Sequence, residues 1–210
     1  MAAAELPIFP LGSVLFPTAV LPLHVFEPRY LELVDTCLRG EPEFGVVLIE
    51  RGSEVGGGET RTAVGTVARI LQIGRTDDGR YVLATIGTER FRVVEWLPDD
   101  PYPRAVVERF RDEPADAADP TTDAARARVG RSLERVMALR AELGDAEAAA
   151  DVELSEELGR ATFEVATLAM LSPLDGQNIL TLTDPGARLR VLDELLSDEI
   201  EVLRFRLGSG

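Results

Sequence analysis

The chain contains no lysine, because all 22 of its basic residues are arginine. A Walker-type phosphate loop needs a lysine at the phosphates. Serine–lysine dyads and Schiff-base enzymes need a lysine amine. The sequence therefore excludes all three kinds of site. A GC-rich genome is the simplest cause of the bias, and its chemical consequences hold whatever the cause.

Other reactive side chains are scarce as well, since Cys37 and His24 are the only cysteine and the only histidine. A single cysteine excludes an internal disulfide and suits a reducing compartment. One histidine and one cysteine cannot build a structural zinc site. No G-x-S-x-G motif supports a serine hydrolase. We expect both residues to be packed structurally, and we predict a chain that is not an enzyme and holds no metal or cofactor.

The chain also lacks an excess of basic charge and any long apolar run. Its formal net charge is −15, whereas nucleic acids and anionic membrane surfaces attract basic proteins. The longest apolar stretches, residues 19–25 and 166–171, are too short to span a bilayer. The N-terminus lacks the basic region and the apolar core of a secretory signal. We therefore predict a cytoplasmic protein that binds neither nucleic acid nor membrane.

The residue composition changes near Arg111. The preceding residues are rich in Val, Ile, Phe, Pro and Gly, which favour strands and turns. The following residues are rich in Ala, Leu, Glu and Arg, which favour helix. Residues 112–122 are acidic, contain proline and offer little to bury, as is typical of a linker. The sequence predicts an α+β fold with a β domain over residues 1–111 and a helical domain over residues 123–207.

In the first half, prolines at 7, 10, 17 and 22 predict short strands bent at edges and corners. Pro28 and Gly40 predict a helix over residues 28–39. Further strands are predicted over residues 44–50, 62–75, 80–92, 91–97 and 105–110. Asp78 and Gly79 form a hairpin turn signal, and the glycine-rich residues 52–62 are predicted to be a hairpin loop. Several short strands with turns between them indicate a barrel-like sheet.

In the second half, apolar residues at helical spacing predict four helices. They are expected over residues 122–143, 154–171 and 175–182, and from Asp184 onward. Asp184 is a predicted cap, with Pro185 in the first turn. Helices of this kind can pack together as a small bundle.

Two blocks of the sequence have a familiar form. The first is LPIFPLGSVLFPTAVLPLHVFEPRY, residues 6–30, and the second is AVGTVARILQIGRTDDGRYVLATIGTERFRVVEW, residues 63–96. Both resemble the substrate-binding N-terminal domain of Lon proteases, the first in its opening strands and the second in its hairpin. Residues 101–108 match the next strand of that family, and residues 171–203 match its last helices more loosely. The spacing in the first block is specific, as carried by Pro7, Pro10, Pro22, Phe26, Glu27, Arg29 and Tyr30.

The resemblance implies a β-barrel similar to that of pseudouridine synthases and archaeosine transglycosylases (PUA-like), followed by a helical bundle. Domains of this family recognise unfolded or tagged proteins for an attached ATPase and peptidase, and both are absent from these 210 residues. The resemblance therefore implies a stand-alone, non-catalytic module that binds unfolded or client proteins and acts with a protease or a chaperone. Two alternatives stay open: an RNA-binding PUA-like protein, against which the acidic charge weighs, and an unrecognised hydrolase.

Glu27, Pro28, Arg29 and Tyr30 are the candidate substrate-binding residues. In one interpretation they only start the helix: Glu27 caps it, Pro28 presets the backbone, and Arg29 and Tyr30 pack inward. In the other interpretation this helix start contacts substrate, as the resemblance implies. We expect an exposed apolar patch beside it, at the junction of the two domains.

Overall fold

The computed structural model describes residues 3–51, 60–114, 120–145 and 152–208. It has an α+β fold, as predicted, and divides into two compact units, Met1–Arg111 and Asp112–Gly210. No helix in the described part of the chain is long and apolar enough to cross a membrane. Residues 52–59 of the predicted loop over residues 52–62 lie outside the described residues, whereas residues 60–62 belong to a strand, so the loop prediction was wrong there.

The first unit, called the sheet unit below, contains six strands and one helix in its described residues. They are β1 (Ala4–Leu11), β2 (Val20–Val25), α1 (Pro28–Arg39), β3 (Glu43–Arg51), β4 (Thr60–Arg75), β5 (Tyr81–Leu97) and β6 (Arg104–Phe110). The second, called the helical unit, contains α2 (Pro120–Glu142), α3 (Leu158–Leu168), α4 (Pro173–Thr181) and α5 (Pro185–Gly208).

The strands follow the order β2-β5-β4-β3-β1-β6, and β6 also pairs with β5. The pairings therefore close into a ring of β5, β4, β3, β1 and β6, with β2 attached to β5. The β1–β3 pair is parallel and the others are antiparallel.

Strand β5 runs unbroken over 17 residues, so the prediction of two separate strands over residues 80–92 and 91–97 was wrong. Its first part pairs with β2 and its second part with β6. A register shift between Val93 and Glu95 lets the strand bend without ending, because a bulge adds one unpaired residue and increases the local twist.

The core of the sheet unit lies on both sides of β1, because neighbouring residues of a strand point to opposite faces. Phe9 joins one apolar cluster with α1, and Ile8 joins another with Phe91. Phe91 fits only because the neighbouring strands carry glycine. A Cβ at Gly65 would lie 2.2 Å from the Val46 carbonyl oxygen and 2.7 Å from the Phe91 ring.

Helix α1 has the predicted bounds and buries one face, formed by Tyr30, Leu33, Val34 and Cys37. Cys37 is buried, and its Sγ donates to the Glu43 carbonyl oxygen at 3.2 Å. Burial disfavours the thiolate and raises the pKa of Cys37 to about 12. This agrees with a packed cysteine. His24 is exposed on β2, so the prediction of a packed histidine was wrong.

In the helical unit, α2 packs against α5 through buried residues at helical spacing: Val129, Leu133, Val136 and Leu139 on α2, and Leu189, Leu192, Leu196 and Leu203 on α5. Helix α2 begins at Pro120, inside the predicted linker. At the start of α5, Asp184 Oδ1 accepts from the Gly186 amide at 2.8 Å, which agrees with the predicted cap.

Helix α3 is shorter than predicted at both ends. Before it, the Ser155 amide donates to Glu164 at 2.7 Å, and Arg126 donates to the carbonyl oxygens of residues 155 and 156. These bonds hold the segment outside the helix. After it, Met170 has a positive φ of 49°. Helix α4 then starts at Pro173, because Ser172 caps it by accepting from the Asp175 amide at 3.2 Å.

Candidate functional site

The predicted site begins at the residue that precedes α1. Glu27 has the extended backbone of an N-cap, but its side chain makes no capping hydrogen bond. Its carboxylate instead accepts from Arg29 Nε at 3.1 Å, and both side chains are 18% exposed. Glu27 therefore occupies the N-cap position, as expected, but its side chain does not contribute a capping hydrogen bond. The helix start is set by Pro28, whose side chain is exposed.

Tyr30 belongs to the core rather than to the surface, since it is 3% exposed. Its ring stacks on Phe9 with 4.2 Å between centroids. The Arg29 guanidinium carbon lies 4.5 Å from the centroid of the Tyr30 ring, within cation–π range. Arg29 and Tyr30 thus pack inward, as the structural interpretation of the sequence expected.

Helix α1 is also fixed to β5 by a polar contact. The Tyr81 hydroxyl donates to Asp35 Oδ1 at 2.5 Å. This hydrogen bond to Asp35 raises the pKa of Tyr81, because it stabilises the protonated phenol. Helix α1 therefore contacts β1 through Tyr30 and β5 through Asp35.

One accessible apolar surface of the sheet unit lies on β2 and β5. Along β2, Leu23 and Val25 are buried, while the alternate residues are exposed. Residues opposite one another on paired strands share a face. The register pairs Val20 with Ile86, Pro22 with Ala84 and His24 with Val82. We call these six residues the outer β2–β5 face, and five of them are apolar.

Two exposed apolar residues lie at the ends of β2. Val20 is 66% exposed, and Phe26, the residue immediately after β2, is 52% exposed. The apolar face does not continue onto β4, because the β4 residues opposite Val82, Ala84 and Ile86 are Gly74, Gln72 and Arg69, and the exposed Ile73 pairs with the buried Leu83. Single exposed apolar residues are ordinary, whereas neighbouring ones on adjacent strands are typical of surfaces that bind apolar ligands.

Strand β2 is also an edge. All six of its residues pair with β5, and no described strand pairs with its other side. An open edge can accept an extended peptide through main-chain hydrogen bonds, with pockets for alternate side chains. Pro22 lacks an amide hydrogen and so limits unselective pairing at this edge.

No residue pattern in the sequence indicates directly that Val20 and Phe26 are exposed. The available signal was the alternation within β2, where Leu21, Leu23 and Val25 mark one face. Within the described ranges, no group of three or more His, Cys, Asp or Glu residues is arranged to hold a metal ion. The outer β2–β5 face and the open edge of β2 can form apolar contacts and main-chain hydrogen bonds.

Comparisons with known proteins give a consistent result. The family model of the ATP-dependent protease La (LON) substrate-binding domain matches residues 5–198. A Lon protease of Anaeromyxobacter dehalogenans is 31% identical over 207 residues, which are 96% of this chain and 24% of that protein. Lon protease 2 of Myxococcus xanthus is 31% identical over 205 residues, 95% of this chain and 24% of that protein. The chain thus spans about a quarter of the length of these relatives.

The solved structures similar to this one include two Lon N-terminal domains. The crystal structure of a Lon N-terminal domain protein from Xanthomonas campestris has a TM-score of 0.68 and 31% identity, and the match covers 92% of this chain and 98% of that chain. The N-terminal domain of Lon protease from the Mycobacterium avium complex has a TM-score of 0.64, with coverage of 93% and 99%. At 19% identity the second match shows the fold alone.

Proposed function

This chain belongs to the Lon substrate-binding domain family, and we propose that it is a non-catalytic module that binds exposed hydrophobic segments of unfolded client proteins. The family supports the general role of a substrate-binding module. The observation that carries the more specific proposal is the outer β2–β5 face, with Phe26 exposed beside it.

The proposed binding mode joins apolar contact to strand addition. A client segment would lie along the open edge of β2 and bury alternate apolar side chains against the outer face. Burying roughly 300 Å² of apolar surface would contribute on the order of 7 kcal/mol. Ordering a flexible segment costs about 2–5 kcal/mol, and association itself carries a further cost. We therefore expect a weak and reversible complex that tolerates many client sequences.

The finer description of the fold belongs to the same proposal. The closed ring of strand pairings supports a PUA-like barrel, and the packing of α2 against α5 supports a helical bundle. We further propose a cytoplasmic protein that serves as an adaptor to a protease or a chaperone. The net charge of −15 supports protein clients over nucleic acid or anionic membranes as partners.

A double substitution tests the site. Val20→Ser and Phe26→Ser remove apolar surface from exposed positions, so the core is left intact. We expect the double variant to bind fluorescent reduced, carboxymethylated α-lactalbumin at least about tenfold more weakly by anisotropy, equivalent to about 1.4 kcal/mol. Its melting temperature should match that of the wild type.

The matched control is the pair Leu174→Ser and Val202→Ser. Both residues are exposed and apolar, and both lie in the helical unit. This control should bind the client like the wild type. Equal losses in the two double variants would show that binding follows general surface hydrophobicity, and unchanged binding in both would exclude the outer β2–β5 face as the site.

A further inference from the structure

Two residues that follow the last strand are fixed to the helical unit. Asp112 forms an ion pair with Arg188 on α5. The Glu113 amide donates to the Thr183 carbonyl oxygen at 2.9 Å, and the Thr183 hydroxyl donates to Glu113 Oε1 at 2.6 Å. We call Asp112 and Glu113 the strap. Both lie within the segment that the sequence predicted to be a free linker.

Arg188 is an unusual partner for a residue near the surface. Its side chain is 0% exposed, whereas that of Asp112 is 22% exposed. The guanidinium carbon lies 4.0 Å from the centroid of the Phe163 ring. Nη2 donates to Asp112, but Nε and Nη1 are buried without a hydrogen-bond partner among the described residues. A buried cation with unused donors needs an anion nearby, since burying an unpaired charge is costly.

The first turn of α3 completes the surroundings of this carboxylate. A Cβ at Gly159 would lie 2.5 Å from Asp112 Oδ2, so the absence of a side chain there gives the carboxylate its space. The same position lies 2.7 Å from Glu157 Oε1, a second carboxylate at the same turn. Glu157 is the N-cap of α3 and makes no side-chain cap bond, and free amides at a helix N-terminus favour anions.

We propose that Arg188, Phe163 and the first turn of α3 form an internal carboxylate receptor, which Asp112 occupies and from which small carboxylate ligands can displace it. Occupation by Asp112 closes the strap on the helical unit. In that state Arg111 alone separates β6 from the strap. Release would free Asp112 and Glu113 from their contacts with Arg188 and Thr183. The receptor would thereby couple anion binding to the docking of the strap on the helical unit.

Cleavage by trypsin after Arg111 reports the state of the strap. The Arg111 side chain is 79% exposed, and we expect the following bond to enter the protease only when residues 112 and 113 leave the helical unit. In the full chain, Asp112→Ala should accelerate this cleavage about tenfold, corresponding to about 1.4 kcal/mol of lost docking. In the wild type, formate competes with Asp112 for the receptor and should therefore accelerate the cleavage in a concentration-dependent manner. Sodium chloride at equal ionic strength should not.

Two controls make the result specific. Asp198→Ala removes the same charge from an exposed position on α5 and should leave the cleavage unchanged. Asp112→Ala combined with Arg188→Met replaces the buried pair by apolar groups, which proteins tolerate well, and this variant should not respond to formate. If Asp112→Ala fails to fold, Asp112→Asn removes the charge at constant size and should also accelerate cleavage. Cleavage of Asp112→Ala at the wild-type rate, or wild-type cleavage that formate does not accelerate, would overturn the proposal.

Discussion

Charge reversal at Arg29 separates the two interpretations of the α1 start. Arg29 contacts the Tyr30 ring and pairs with Glu27, and its Nη2 is buried. Glutamate at this position would lose both contacts and would face Glu27 with a like charge. If the residues only support the helix, Arg29→Glu should destabilise the sheet unit. If they contact the client, it should weaken binding without changing stability.

The structure sets the size of the expected loss. The contact between the guanidinium and the ring contributes about 1 kcal/mol at a largely buried position. The ion pair with Glu27 contributes about 0.5 kcal/mol, and the new repulsion costs about as much again. The sum of about 2 kcal/mol corresponds to a fall in Tm of about 4–8 °C for a chain of this length.

Scanning calorimetry and client anisotropy measure the two quantities on the same sample. Arg29→Met keeps the aliphatic contact but removes the charge, and should lower Tm by about half as much. Arg131→Glu reverses a charge at an exposed position on α2 and serves as the control. An unchanged Tm for Arg29→Glu, together with weaker client binding, would refute the structural interpretation.

Three further predictions concern acid stability, packing and activity. Hydrogen bonds from Arg69 and Arg109 outweigh the opposing effect of burial and lower the pKa of Glu43 below its usual 4.5. The stabilisation of the fold by the ionised Glu43 carboxylate is therefore complete above pH 4.5 and is lost as the pH falls below it. We therefore expect the melting temperatures of the wild type and of Glu43→Gln to converge in acid. Gly65→Ala should cost about 3 kcal/mol in urea unfolding, because its Cβ would overlap a carbonyl oxygen. Gly130→Ala in α2, with open space at its Cβ, should stabilise the chain by about 0.5–1 kcal/mol. A lower free energy of unfolding for Gly130→Ala than for Gly65→Ala would contradict this packing argument. Purified protein should neither hydrolyse ATP nor cleave casein, and activity that copurifies with the chain would contradict that expectation.

Short sequence signals correctly predicted the helix and the turn whose backbone is determined by a few adjacent residues. Helix α1 begins at Pro28 and ends at Arg39, before Gly40, because these residues set the backbone irrespective of the rest of the fold. The hairpin turn between β4 and β5 follows in the same way from Gly79, whose φ is 84°. The family resemblance added the order of the strands and helices but not their pairings.

Long-range contacts account for what the sequence did not predict. The pairing of Asp112 with Arg188 joins residues 76 positions apart. The segment around Asp112 has the composition of a linker, and this local composition does not indicate a contact with a distant residue. Glu27 has the residue type and position of a capping residue, but Arg29 competes for its carboxylate. The exposure of Phe26 depends on which chain segments cover the end of β2. The residues adjacent to Phe26 in the sequence do not determine which segments these are.

Strand β5 connects the fold to the proposed site. Its inward residues Leu83 and Thr85 are buried, and the Thr85 hydroxyl donates to the Leu21 carbonyl oxygen at 2.8 Å, which fastens β2 to the sheet. Its outward residues Val82, Ala84 and Ile86 alternate with them on the opposite side. Because successive side chains point to opposite faces, outward substitutions can change which clients bind while the inward residues keep β2 in place. At the proposed site, changes in apolar specificity would therefore fall on outward positions of one strand and leave the core that positions it intact.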